Sequence, residues 1–340
     1  MTPVFSAIGT AGIIFAYTGF RSAIDYSGEA KNPRKDIPRA IIFSVLTTIA
    51  LYTMLQVVFI GGVRWNSSGI GPGDWAGLGV SVNYSKAPFF ELMSILGVSA
   101  LAIVLLVDAI ISPLGTTTVY AGSSSRDLYA LAEGGSFDKL SEVHSKHGVP
   151  RLALFTSLAI GVGFVFAFPN WSQLATIATS AAVFSQLAGG VCLTVLRKNA
   201  PSLGKSFRVP FLKVFAPLAF VMSSFMVYWI TWPYTGYSLL VFMSGILLYF
   251  ISRKRRGSYR INDIGHGLWI VAYSIVLAAL SYLGSYGIDL IHFPDDFVVV
   301  GVSAIIFFYL GVLSGYKTKN ITMLLRQEEV ESDLQSNITS

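Results

Sequence analysis

Of 340 residues, 53% are hydrophobic and 12% are charged, about half the ~25% charged share of a soluble domain, which excludes a water-facing globule. A net charge of +6 would suit a nucleic-acid binder, but the basic residues stand between long apolar runs rather than on one face, which excludes that class. The single cysteine, Cys192, lies inside an apolar run, which excludes a disulfide framework and a cysteine zinc cluster.

The chain opens without a basic n-region or a convincing cleavage site, so no cleavable signal peptide is read. Crossing ~30 Å of hydrocarbon takes about 20 apolar residues in a helix. Runs near that length cover residues 4–20, 40–61, 97–121, 151–168, 174–196, 211–230, 237–251, 267–283 and 297–315. The expectation is an all-α, polytopic transmembrane helical protein of about nine spans in the cell membrane.

If these spans are real, Lys and Arg should gather in alternate loops. All but two of the 24 Lys and Arg do so, in segments 21–39, 126–151, 197–213, 253–260 and the C-terminal tail. The opposite loops hold Arg64 and Lys86. The basic side reads as cytoplasmic, which puts the C-terminus inside and, with nine spans, Met1 outside. A chain starting outside without a signal sequence leads us to expect missing N-terminal helices. Residues 316–340 are polar and mixed in charge, and read as a disordered tail.

Four motifs follow in chain order. The first span ends in Phe15-Ala16-Tyr17-Thr18-Gly19-Phe20, an aromatic cluster around a glycine. One reading is close helix packing at a small residue. The other is a broken helix, whose freed backbone groups are tolerated at membrane depth where they line a cavity. Next, Glu29-Ala30-Lys31-Asn32-Pro33-Arg34-Lys35-Asp36-Ile37-Pro38-Arg39-Ala40 reads as a dense polar loop, with Pro38 near the first turn of the second span. Its charges can be plain topology anchors, since exposed ion pairs contribute little. The third motif, Ser125-Arg126-Asp127-Leu128-Tyr129-Ala130-Leu131-Ala132-Glu133-Gly134-Gly135, continues the third span into the cytoplasm and stops at a glycine pair. His147-Gly148-Val149-Pro150 then launches the fourth span, and Leu196-Arg197-Lys198-Asn199-Ala200-Pro201 with Phe207-Arg208-Val209-Pro210 follows the fifth.

In this order and spacing the motifs resemble the amino acid/polyamine/organocation permease superfamily, over roughly residues 6–215. The resemblance implies two inverted five-helix repeats followed by extra helices, and aligns the first span here with the family's sixth helix. Residues 1–196 would then be the second repeat of that 5+5 transporter fold, with a cytoplasmic loop segment at 122–150. Residues 197–315 would be four trailing helices. The first five helices would be missing, or supplied by a separate chain. Phe15, Ala16, Tyr17, Thr18, Gly19 and Phe20 would form the unwound substrate-binding segment. Departures from the family pattern are Arg21, where many members carry an acid, Gly28, where an acidic pair is common, and Glu133-Gly134 in place of Arg-Asp-Gly.

Asp108 is the one acid well inside a span, where insertion costs ~2.5–3.5 kcal/mol unless it faces protein or water. It is a candidate for proton or cation coupling, or a carboxyl bonded to another helix. Ser112, Thr116, Thr117 and Thr118 follow on the same helix; related transporters with sodium coupling use hydroxyls on this helix, so Ser112 and Thr116 join Asp108 as ion-coupling candidates. Gln56 and Gln186 read as glue between helices. The histidines, His144, His147, His266 and His292, show no metal or catalytic spacing, and no cofactor is expected.

The reading is a secondary active transporter of amino acids or related amines, with a proton or sodium as coupling ion and no nucleic-acid partner. A nucleotide-binding Gly-Lys-Ser/Thr loop is absent from the sequence, as is the convergent nucleophile, base or metal set of an intramembrane enzyme. The alternative is a non-transporting, truncated membrane subunit.

Overall fold

A computed structural model describes residues 2–10, 12–65, 70–81, 84, 87–133, 140, 142–143, 149–200, 209–255 and 265–315. Gly134, Gly135, His144, His147, Gly148, Pro201, Phe207, Arg208, Lys86 and the tail 316–340 lie outside the described residues.

Lipid offers the backbone no hydrogen-bond partner, so apolar runs of this length fold as helices. Eight of the nine expected spans appear as single helices: α4 Pro33–Gly62, α7 Ser99–Glu133, α8 Arg151–Ala167, α9 Trp171–Asn199, α10 Leu212–Tyr228, α11 Tyr234–Arg255, α12 Leu268–Leu283 and α13 Asp295–Ser314. The first span is interrupted: α1 Thr2–Thr10 and α2 Ile13–Ala16 are followed by a 3-10 turn at Thr18–Arg21, α3 Ser22–Asp25 and a second turn at Ser27–Glu29. Among the described residues, four helices, α4, α7, α9 and α13, are long and apolar enough to cross a membrane by length and composition.

Two boundaries differ from the sequence reading. The polar segment before the second span is helical from Pro33 onward rather than a loop. Pro33 sits at the first helical position, where its fixed φ suits the helix and its missing N–H is not needed. The Asp36 carboxylate accepts the Asn32 N–H at 3.1 Å and lies in the first turn, where negative charge suits the helix dipole. Pro38 is then inside the helix, leaving one carbonyl without its partner. Second, the segment between α4 and α7 carries two short helices, α5 Trp75–Val80 and α6 Pro88–Ile95, around a small core of Val63, Leu78, Tyr84 and Leu92. Asp74 caps α5 by accepting the Gly77 N–H at 2.9 Å, and Trp65 and Trp75 meet edge to face at 4.7 Å.

The chain divides into two compact units. The first comprises residues 1–19, 130–142 and 159–340, and the second residues 20–129 and 143–158. In the first, α9 packs on α10, α11 and α13, and α12 on α10, α11 and α13. Its core is Phe184, Leu187, Val191, Phe220, Tyr273, Leu277, Val300 and Phe308. α1 joins this core: Phe5 stacks on Trp229 at 5.0 Å. A Cβ on Gly9 would stand 2.5 Å from the Trp229 carbonyl oxygen, so only glycine lets the two backbones approach this closely. Asp296, at the start of α13, is 2% exposed; Tyr228 donates to it at 2.5 Å and the Phe297 N–H at 2.8 Å. In the second unit α3 packs on α4, and α4 on α6 and on the Ser27–Glu29 turn.

Candidate functional site

The first span breaks where the chain takes a conformation that L side chains resist. Gly12 sits at φ +82°, in the left-handed region that glycine enters at no steric cost. This is earlier than Gly19, the glycine around which the sequence reading centred the break; Gly19 lies within the Thr18–Arg21 turn with a negative φ. α2 is a single turn: the Ala16 N–H donates to the Gly12 carbonyl at 2.9 Å and the Tyr17 N–H to the Ile14 carbonyl at 3.0 Å. The Thr18 hydroxyl donates to the Phe15 carbonyl at 2.7 Å, so this carbonyl, released from a regular helix, is taken up by a neighbouring side chain.

Of the six residues expected to bind substrate, Phe15, Ala16, Tyr17, Thr18 and Gly19 belong to the first unit and Phe20 to the second. Phe15, Tyr17, Thr18 and Phe20 are half-buried, and Ala16 and Gly19 are exposed. The Phe15 ring stands edge-on to Trp171 at 5.7 Å with an interplanar angle of 90°. Trp171 escaped the sequence reading. It opens α9 behind Asn170, whose side chain accepts the Ser172 N–H at 3.1 Å, and the Asn-Trp-Ser step after Pro169 is the signal that could have marked it.

In the second unit, Asp108, Ser112 and Thr116 lie four residues apart along α7 and are all exposed. The spacing puts them in one stripe. The Thr116 hydroxyl donates to the Ser112 carbonyl at 3.0 Å, and Thr117 and Thr118 make the same bond four residues back. Hydroxyls satisfied in this way by their own helix keep lone pairs to offer elsewhere.

Further along α7, beyond the apolar stretch 97–121, a charged cluster joins this helix to residues 21–29. Arg126 donates to Glu29 Oε1 through Nε at 2.8 Å and Nη2 at 2.5 Å, and through Nη1 to the Gly122 carbonyl at 2.9 Å. The guanidinium lies 4.1 Å from the centroid of the Tyr26 ring, and the Tyr26 hydroxyl donates to the Val119 carbonyl at 3.1 Å. Ser123 donates to Asp25. Arg21, which departs from the family pattern, reaches Asp127 at 3.9 Å. Burial first, then the Asp25 carboxylate, push the Asp127 carboxyl up from its ordinary value, and the Arg21 guanidinium pulls it partly back. Sequence reading allowed Glu29 as a plain topology anchor, counted Arg126 among the basic loop residues, and passed over Asp25, Tyr26 and Ser123. Nothing in local spacing pairs residues 97 positions apart, although Gly122 hints at a close approach: a Cβ there would overlap the Tyr26 hydroxyl.

Comparison with known proteins finds similarity to permeases and transporters. Residues 1–251 match the family described as amino acid permease. The chain is 35% identical over 338 residues to the glutamate/serine transporter AimA of Bacillus subtilis (strain 168), covering 97% of this chain and 60% of that protein. It is 29% identical over 320 residues to the aspartate-proton symporter of the same organism, covering 92% of this chain and 60% of the relative. It is also 32% identical over 261 residues to the branched-chain amino acid permease BcaP of Lactococcus lactis subsp. cremoris (strain MG1363), with 74% of this chain and 52% of the relative covered. The chain therefore spans between 52 and 60% of the length of these relatives. No solved structure matches it.

Proposed function

This chain belongs to the amino acid permease family and is a multi-pass membrane protein, and from that premise we propose that it carries the second-repeat half of a secondary active transporter of amino acids or related amines. The observation that carries the reading is the break at Gly12 within the first apolar span. A discontinuous helix at membrane depth is stable where its backbone lines a cavity, and such breaks hold substrate in transporters. The substrate amino group would meet the backbone of Phe15, Ala16, Tyr17, Thr18, Gly19 and Phe20, with Phe15 and Trp171 as an aromatic wall.

Residues 1–196 would form the second five-helix repeat and residues 197–315 the four trailing helices. Because the chain spans 60% of the first two relatives, the first five helices would come from further polypeptide or from a separate chain. The basic loops would face the cytoplasm, with the C-terminus inside and Met1 outside. Asp108, Ser112 and Thr116 would serve the coupling ion, a proton or sodium. The names of two relatives point to glutamate, serine and aspartate as the first substrates to try.

The test is uptake of these three amino acids, radiolabelled, into proteoliposomes that hold the chain together with a polypeptide supplying the first five helices, under an imposed proton or sodium gradient. Gly12→Val should lower uptake at least about tenfold, because a β-branched residue at φ +82° is strongly strained and the left-handed conformation itself costs ~1–2 kcal/mol. Its Cβ would meet nothing within 4 Å, so the loss would report backbone conformation rather than a clash. Undiminished uptake in Gly12→Val would remove the break from the mechanism.

A further inference from the structure

The basic segments of the chain are of two kinds. Segments 21–39 and 126–151 mix their Lys and Arg with acids: Asp25, Glu29 and Asp36 in the first, Asp127, Glu133, Asp138 and Glu142 in the second. From residue 143 to residue 262, by contrast, the chain holds 12 Lys and Arg and no acid, and ten of the 12 fall in segments 197–213 and 253–260. The rule that fixes membrane orientation counts Lys and Arg and is nearly indifferent to Asp and Glu. Topology alone therefore gives no reason to keep acids out of these two segments. An anionic partner does, because carboxylates beside it would cancel the basic field that attracts it.

The fold gathers the described part of this charge at one end of the first unit. Arg197 and Lys198 stand in the last turn of α9, Lys213 is the second residue of α10, and α11 ends in Arg253-Lys254-Arg255. α9 and α11 run in one direction: Ser180 of α9 and Ser238 of α11 are hydrogen-bonded, and 17 residues further along each helix stand Arg197 and Arg255. α10 runs the opposite way, and the close approach of Gly190 to the Ala216 carbonyl seats its first part against the last part of α9. Beside these charges, Leu196, Phe211, Val214 and Phe215 are exposed, Phe211 to 79%. Positive charge at helix ends next to exposed apolar side chains matches the layering of a phospholipid, headgroup then acyl chain. A soluble polyanion would match the charge and leave Phe211 and Phe215 uncovered.

We propose that the ends of α9, α10 and α11 form a binding surface for anionic phospholipid, with Lys198, Lys213 and the Arg253-Lys254-Arg255 run supplying charge for the headgroup and Phe211 and Phe215 contact for the acyl chains. The surface requires membrane residence and not the transport reading; the proposed orientation decides only that the leaflet is the cytoplasmic one. The chain itself holds one rival occupant, the acidic run Glu328, Glu329, Glu331 and Asp333 of the tail.

The experiment places the purified chain in phosphatidylcholine nanodiscs with a trace of spin-labelled phosphatidylglycerol or, in parallel, spin-labelled phosphatidylcholine, and compares the motionally restricted fraction of each. The anionic lipid should be preferred at least about threefold, since each basic residue near the surface adds to the attraction, and the preference should fall toward unity in about 1 M salt. Arg253→Gln, Lys254→Gln and Arg255→Gln together should at least halve it. Ser252→Asp with Ser258→Asp should do the same while leaving every basic residue in place; added acids barely affect orientation, so that loss reports the field and not misinsertion. Lys198→Gln with Lys213→Gln should lower the preference from the α9–α10 side, whereas Lys31→Gln with Lys35→Gln, in a segment that mixes charges, should leave it unchanged. All variants are compared as the monodisperse fraction from size exclusion, and if the three Gln substitutions prevent folding, the two Asp substitutions decide. Equal restriction of the two lipids, or a preference that survives the substitutions in and around α9, α10 and α11, would overturn the site. So would displacement of the lipid by inorganic phosphate at matched ionic strength, which would assign the charge to a soluble anion. A preference that emerges only on deletion of residues 326–340 would assign the surface to the tail and overturn the lipid as its occupant. Uptake, present or absent, bears on the transport reading alone.

Discussion

Helices α4 and α9 share an apolar composition and nearly the same length, yet 39% of the apolar stretch of α9 is buried and none of that of α4. α9 sits among α1, α10, α11 and α13 and buries Val183, Phe184, Leu187 and Val191 against them. α4 meets the first residues after the broken span and the short α6, and along the rest of its length presents Leu46, Leu51, Met54 and Val57 outward. Hydropathy reports the depth at which a helix lives, whereas small residues and shape decide whether it packs on protein. α9 carries the small residues Ala175, Thr179, Ser180 and Gly190, and a Cβ on Gly190 would already be 3.0 Å from the Ala216 carbonyl oxygen of α10. The middle of α4 carries Ser44, Thr47, Thr48, Ala50 and Thr53 among longer side chains, but no glycine before Gly61 to admit a neighbouring backbone this closely.

The sharpest way to break this comparison is to cut the same side chain in both places. Leu187→Ala on α9, where the side chain is fully buried, should destabilise the protein by ~2–5 kcal/mol, the transfer and cavity terms together. Denaturation of the purified protein in mixed micelles checks it. A loss below about 1 kcal/mol would mean that the α9 core is looser than its burial states.

Next in size is Tyr228→Phe, which sharpens the picture of what holds the trailing helices together. The buried Asp296 carboxylate would lose the Tyr228 hydroxyl and keep the Phe297 N–H at 2.8 Å and the Ser285 N–H at 3.4 Å. Leaving a buried acceptor one donor short costs ~1–3 kcal/mol, read as a lowered denaturation midpoint. An unchanged midpoint would show that water replaces the hydroxyl.

The sequence made legible what lipid enforces and hid what long-range packing decides. Eight spans were readable because an apolar run in a membrane has no alternative to a helix. The interruption has two parts: the Phe-Ala-Tyr-Thr-Gly-Phe motif runs into the 3-10 turn at Thr18–Arg21, and the backbone turns left-handed earlier, at Gly12, outside the motif. Asp296 closes a polar stretch between two apolar runs, which gives no sign that its carboxylate is buried under Tyr228 of another helix. Likewise Glu29 and Arg126 each pass for a solvated charge until the fold puts them in contact. The start of α4 was hidden for a local reason: a charge-rich, proline-bearing segment resembles a loop until Pro33 is recognised as a first helical residue.

The smallest expected effect is also the one that says most about the outward face of α4. Leu51 is 54% exposed in this chain. If lipid covers that face, Leu51→Ala exchanges one apolar surface for another, and the change in stability should stay within about 0.5 kcal/mol. If other helices of a complete permease cover it, the same substitution opens a cavity and should cost at least ~2 kcal/mol. Measuring Leu51→Ala in this chain alone and again in a form carrying the proposed first repeat separates the two. A cost that appears only in the longer form would assign the α4 surface to protein. It would also show that the contrast between α4 and α9 reflects which partner is present rather than any intrinsic difference in the helices.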